Sequence, residues 1–184
     1  MGSGQDTQIR FSGSGGQGLI LAASILANAL CAEGKRVAQS QSYEPTSRGG
    51  LSRADIVAGS HRIDYPLVTL LDCLLVMDGI AMRASTDLIN EDTLIICDRE
   101  KVGGSASAPA FAHALPLTES ARDLGNHRVA NIVALGAMVA LGGYCGKESL
   151  DRALREKAPP RFLRLNLEAA ELGARLAESV RATT

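Results

Sequence analysis

Apolar positions in this chain fall into two kinds of run. Two short unbroken runs, residues 73–77 (CLLVM) and 93–97 (TLIIC), are closed by aspartates or turn residues. Runs of that length and composition predict strands covered on both faces, as in a parallel sheet. Residues 9–12 predict a short first strand and residues 37–43 a second. Between them, residues 19–33 are apolar on most sides, which predicts a buried helix closed by Gly34. Strand, helix and strand in this order make a βαβ unit, right-handed almost without exception. Residues 51–59 and 62–63 predict two strands around a turn at Ser60 and His61, ended by Asp64-Tyr65-Pro66.

The second half carries helical spacing. A short helix is expected over residues 80–88, a turn at 90–92, a small-residue loop at 103–109 and a short edge strand at 115–117. A helical turn opens at Thr118, and residues 128–142 predict a second buried helix whose Ala and Gly content suits close packing. Residues 147–157 alternate as an exposed amphipathic helix, Pro159-Pro160 breaks the chain, and residues 162–181 predict a last helix. Its buried face is expected to hold Leu163, Leu167, Ala170 and Ala174. Strands alternating with helices imply an α/β fold: a Rossmann-like, doubly wound, mostly parallel sheet in one domain with a helical C-terminal third. Residues 8–184 are assigned to that domain. Residues 1–7, small and polar, are expected to be a disordered terminus or a remnant of expression.

Composition narrows the function classes. Of 184 residues 46% are apolar and 3% aromatic, so the core must be built from Leu, Ile, Val and Ala. A formal net charge of −1 leaves no domain-wide basic field for nucleic acid. No run of 18 apolar residues is present, so no membrane span is expected. Cys31, Cys73, Cys97 and Cys145 are far apart, with no C-x-x-C pair. Iron–sulfur clusters need clustered thiolates, and buried free thiols are the simpler reading. A reducing, cytoplasmic compartment fits. His61, His113 and His127 are scattered, and no Ser/His/Asp or metal-ligand set can be assembled from spacing.

Two loops carry candidate chemistry. Gly13-Ser14-Gly15-Gly16-Gln17-Gly18 stands between the first strand and the first helix and matches the dinucleotide fingerprint. Its glycines let backbone approach a ligand, and the helix start suits phosphate or carboxylate. The same glycines equally permit a mere tight turn. Gln17 can cap backbone groups or touch a neighbouring chain. The acid that a nucleotide site needs after the second strand could only be Glu44. The second loop follows Tyr43: Glu44-Pro45-Thr46-Ser47-Arg48-Gly49-Gly50. Arg48 could offer a bidentate fork to an anion, or pair with Glu44 or Asp55 on a solvated surface. Both loops leave carboxyl ends of strands, so both are placed on one rim of the sheet, where open α/β folds bind ligands.

With these residues in view the chain resembles the gamma subunits of 2-oxoacid:ferredoxin (acceptor) oxidoreductases. The resemblance rests on the glycine loop and on Gln41-Ser42-Tyr43-x-Pro45-x-x-Arg48-Gly49-Gly50. It continues through Ile63-Asp64-Tyr65-Pro66, the stretch from Gly125-Asn126 to Ala137, and Leu165-Asn166-Leu167-x-Ala169. Family members often read Tyr-Gly-Pro-Glu before the arginine, where this chain has Tyr43-Glu44-Pro45-Thr46. No acid–arginine pairing is therefore carried over. The indolepyruvate branch usually has a Met-Ser-Gln-Arg-Gly-Gly-like loop, which points this chain to the 2-oxoglutarate or a related branch.

The resemblance implies an enzyme that decarboxylates a 2-oxoacid oxidatively on thiamine diphosphate, passes electrons through iron–sulfur clusters to ferredoxin, and transfers the acyl group to coenzyme A. It implies alpha, beta and ferredoxin-like delta partner subunits, with thiamine diphosphate and the clusters held by them. This chain would hold no redox cofactor and no catalytic residue, and alone it would be inactive. Gly13, Gly15, Gly16, Gln17, Gly18, Tyr43, Arg48, Gly49 and Gly50 are the expected ligand-binding or interface residues. Homodimerisation of the isolated chain stays open. The rival reading is a free-standing NAD(P)-binding Rossmann oxidoreductase.

Overall fold

The first strand, β1 (Thr7–Ser14), points Ile9 and Phe11 to one side of the sheet and Arg10 and Ser12 to the other, and all four are buried. The computed structural model describes residues 6–44, 49–102 and 109–181. Helix α1 (Leu19–Ala32) follows and returns to β2 (Arg36–Tyr43), with Gly34 at φ 83° closing the helix. Strand β3 (Leu51–Gly59) comes next, then β4 (Cys73–Val76), two 3-10 turns (Gly79–Ala81 and Arg83–Leu88) and β5 (Leu94–Asp98). The rest comprises α2 (Arg99–Val102), β6 (His113–Leu115), α3 (Leu117–Asp123), α4 (Ala130–Gly142), α5 (Lys147–Lys157) and α6 (Leu163–Arg181).

These strands form one six-stranded sheet in the order β2-β3-β1-β4-β5-β6. β1, β4, β5 and β6 run parallel to their neighbours, as buried apolar runs demand. β3 runs antiparallel to both β1 and β2 and lies between them. The α/β, Rossmann-like, mostly parallel reading holds, but the sequence pattern did not show β3's direction. The pairing expected for residues 62–63 is absent. They fall in a bend region after β3, because β3 already has both edges occupied.

Alternation of side chains through β4 divides the core. Cys73 and Leu75 join Ile9, Phe11 and Ile96 under α1, α4, α5 and α6. Leu74 and Val76 face the other way, with Ile95 and Cys97, against Ala81, Met82 and Val102. The expected helix over residues 80–88 is thus a pair of 3-10 turns laid on the smaller core. On that second face Arg10 donates to both carboxylate oxygens of Asp55 at 2.8 Å, and to Ser85 at 3.3 Å. Asp55 is therefore no partner left over for a surface arginine.

The helical C-terminal third packs on the larger core, chiefly through α4 against α6. The buried face of α6 differs from expectation: it is Asn166, Ala169, Ala170, Gly173 and Ala177. A Cβ at Gly173 would run into the Val133 carbonyl, and one at Gly136 into the Ala170 carbonyl. The helices meet backbone to backbone, so the small residues and not the leucines mark the contact. The edge strand expected at 115–117 ends at Leu115, because Pro116 removes a donor and Leu117 opens α3. Among the described residues no helix is long and apolar enough to cross a membrane. Of the terminus assigned to residues 1–7, residues 1–5 lie outside the described residues, and Thr7 is already in β1.

Candidate functional site

The glycine turn sits at the carboxyl end of β1. Gly16 (φ 91°) and Gly18 (φ 73°) hold left-handed backbone that a side chain would disfavour. Gln17 locks the turn. Its side-chain oxygen accepts from the Ser14 N–H at 2.8 Å, and its amide donates to the Met77 carbonyl at 2.9 Å. The first of Gln17's two expected roles, capping backbone, is the one seen, and it ties the turn to the end of β4. Asn131 on α4 donates to the Gly18 carbonyl at 2.8 Å, and an ideal Cβ on Gly18 would stand 2.5 Å from that nitrogen. Glycine here is required by both backbone angle and a neighbour.

The second loop meets the first. Gly15 N–H donates to the Gly50 carbonyl at 2.9 Å, and Gly49 has φ 70°. Tyr43 ends β2 with its ring 71% exposed. Because β3 is antiparallel to both β1 and β2, the latter two point the same way, and their carboxyl ends share a rim. Arg48 lies outside the described residues, with residues 45–47. The Glu44 carboxylate accepts from the Leu51 N–H at 3.3 Å.

Beside the glycine turn opens a cavity of about 370 Å³. Gly15, Gly16 and Gln17 form one wall, and Lys101, Arg122 and Arg128 supply positive charge. Met77, Thr118, His127 and Ala130 complete the lining. α1 and α4 both begin without a side-chain cap, so free N–H groups remain at two helix starts. Arg122 and Lys101 share Glu100, and hydrogen bonds from them, Arg122 first, hold its carboxyl below the usual range. Among the described residues Arg128 has no ion pair, and its N–H is fixed by Asn126 at 3.0 Å. The arrangement can bind an anion; it holds no nucleophile with a base beside it.

Sequence reasoning missed Lys101, Arg122, Arg128 and His127, because they are far apart in the chain and only the sheet's carboxyl rim gathers them. One signal was available: Gly125-Asn126 and Asn131 flank Arg128 in the stretch that carries the resemblance. The small-residue loop expected at residues 103–109, next to Lys101, lies outside the described residues except for Pro109. The aspartates read as caps do cap: Asp78 accepts from Ile80 N–H, and Asp98 from Glu100 N–H and from Thr118, through both its N–H and its hydroxyl.

The cysteines sit as separate thiols. Cys31 is exposed, while Cys73, Cys97 and Cys145 are buried. Burial pushes Cys73 up to about 12 and Cys97 to about 11. Neutral thiols at those values are poor metal ligands and poor nucleophiles. Among the described residues no three His, Cys, Asp or Glu side chains converge on a metal-sized site.

Comparison with known proteins gives consistent results. A family model described as pyruvate ferredoxin/flavodoxin oxidoreductase matches residues 8–176. The 2-oxoglutarate synthase subunit KorC of Archaeoglobus fulgidus is 39% identical over 140 residues, 76% of this chain and 72% of that protein. Its counterpart in Methanothermobacter thermautotrophicus is 34% identical over 92% of this chain and 94% of its own length. Among solved structures, the gamma subunit of a keto/oxoacid ferredoxin oxidoreductase from Geobacter sulfurreducens superposes with TM-score 0.81 at 36% identity, covering 94% of this chain and 99% of that one. A 2-oxoglutarate:ferredoxin oxidoreductase from Magnetococcus marinus, solved with 2-oxoglutarate, coenzyme A and succinyl-CoA bound, gives TM-score 0.83 at 26% identity. It covers 95% of this chain, which spans only 31% of that longer one.

Proposed function

Since the chain belongs to the pyruvate ferredoxin/flavodoxin oxidoreductase family, as a gamma subunit of a 2-oxoacid:ferredoxin oxidoreductase, we propose that it completes the enzyme by binding the anionic part of coenzyme A at the rim of its sheet. The observation that carries this reading is the cavity in which the glycine turn, two uncapped helix starts and Arg128 converge. Phosphate oxygens suit such a site: backbone N–H groups point at them, and guanidinium forks match their geometry. Arg48, whose loop is flanked by the Gly50 carbonyl bonded to Gly15, would add a second fork on the same rim.

The oxoacid is 2-oxoglutarate in this reading, because both KorC relatives are subunits of 2-oxoglutarate synthases. Alpha, beta and ferredoxin-like delta partner subunits would hold thiamine diphosphate and the iron–sulfur clusters. The chain itself moves no electron and no proton. Its residues bind and orient the acyl acceptor, and its other surfaces dock the subunits that do the chemistry in the cytoplasm. The free-standing NAD(P) oxidoreductase is not favoured, since the family match spans residues 8–176.

The test uses the assembled enzyme carrying Arg128→Ala or Arg48→Ala. A lost charged hydrogen bond to phosphate costs about 1.5–3 kcal/mol, so the Michaelis constant for coenzyme A should rise roughly tenfold to a hundredfold. The constant for the oxoacid should stay near its original value. Intact assembly with both constants unchanged contradicts the ligand role. Loss of assembly would make these arginines interface residues.

A further inference from the structure

The two edges of the sheet are finished differently. β6 closes one edge with three residues, too short to template another strand. β2 closes the other with eight, in unbroken register with β3 and without proline, lysine or bulge. Among the described residues nothing pairs its outer side.

The register fixes which backbone groups look outward. Glu44 N–H donates to the Leu51 carbonyl, so alternation along an antiparallel pair turns the even residues of β2 toward β3. The N–H and carbonyl groups of Val37, Gln39, Gln41 and Tyr43 therefore point away from the sheet. A second copy can use them only if odd residues face odd residues. Antiparallel pairing that covers the whole strand then has its twofold axis at Ser40. It sets Val37 opposite Tyr43, Gln39 opposite Gln41, Ala38 opposite Ser42 and Arg36 opposite Glu44.

Every pair in that register is compatible. Arg36 and Glu44 carry the only formal charges between residues 36 and 44, and the twofold axis brings them together twice. Both are exposed, and among the described residues neither has an ion pair within the chain. They fall in the non-hydrogen-bonded kind of pair, where side chains come closest. Tyr43, whose ring is 71% exposed, gains Val37 as an apolar neighbour. Above the same edge α1 presents Ser24, Ala27, Asn28 and Cys31 beside Val37 and Gln39, small side chains that leave an open groove for a second helix.

We propose that two copies of this chain join edge to edge through β2, with the twofold axis at Ser40, making one continuous twelve-stranded sheet. Its charge complementarity is internal, so the partner is a second copy and not an unrelated strand. The proposal does not depend on the coenzyme A reading.

The test is made on the full chain in a Cys31→Ser background. Ser40→Cys should trap a covalent dimer under mild oxidation, since residue 40 faces its own copy at about 4.5 Å between Cα atoms. Gln39→Cys alone should not, because residue 39 faces residue 41; mixing it with Gln41→Cys should. By sedimentation, Arg36→Glu should weaken the dimer about tenfold through two like-charge pairs, and adding Glu44→Arg should restore it. A monomer at all concentrations, cross-linking at residue 39 but not at 40, or a charge swap without rescue would each overturn the proposal.

Discussion

The turn after β1 and the crossing of α4 with α6 are both built on glycine, and they use it differently. At the turn, Gly16 and Gly18 supply left-handed backbone, and the space around Gly16 is open. At the crossing, Gly136 and Gly173 have ordinary helical backbone and no space at all, because each stands against a carbonyl of the other helix. One region spends glycine on conformation at a solvent-facing rim, the other on proximity inside the core. The difference teaches where function can reside. A rim held open by backbone angle can admit a ligand, whereas a helix contact closed to the atom can only stabilise.

The comparison breaks most visibly at the crossing. Gly173→Leu forces α6 off α4 and should cost about 3 kcal/mol or more, since overpacking against backbone cannot be relieved by a rotamer change. Urea unfolding would show it as a lowered midpoint; an unchanged midpoint would mean the helices are not in contact there. Gly18→Ala is intermediate, because it meets both the left-handed backbone and Asn131. A loss of about 2 kcal/mol is expected, and Asn131→Ala should remove the steric share but not the conformational one. Gly16→Ala should cost only about 1 kcal/mol, purely from φ. Equal losses at Gly16 and Gly18 would erase the role given to Asn131.

Thiol labelling sharpens the contrast with the smallest effect. Cys145 borders the groove between α4, α5 and α6 and is 8% exposed. In the native chain Cys31 should react first and Cys145 slowly. Gly173→Leu should speed Cys145 labelling, while Gly16→Ala should leave it unchanged.

Much of this molecule was legible in its sequence, for local reasons. The apolar runs around Leu74 and Ile95 allowed no conformation but a buried strand, and α5 was readable from its amphipathic spacing over Lys147–Lys157. The glycine turn was visible because left-handed backbone has a residue signature. What the pattern could not show depends on distance along the chain. β3 has the same alternation whether it runs parallel or antiparallel, so its direction waits on the register with β1. Leu163 and Leu167 looked like the buried face of α6 because they are larger than Gly173, yet close helix contact selects the smaller residue. Lys101, Arg122 and Arg128 are ordinary surface cations in sequence, and only the carboxyl rim makes them neighbours.

The central claim is that this chain completes an oxoacid-oxidising enzyme without carrying its redox cofactors. The most direct measurement is oxoacid- and coenzyme A-dependent dye reduction by the purified partner subunits, with and without this chain added back. The account predicts that thiamine diphosphate and iron stay with the partners, that the chain alone is inactive, and that activity returns only when both are combined. Full activity from the partners alone, or dye reduction by this chain alone, would contradict it.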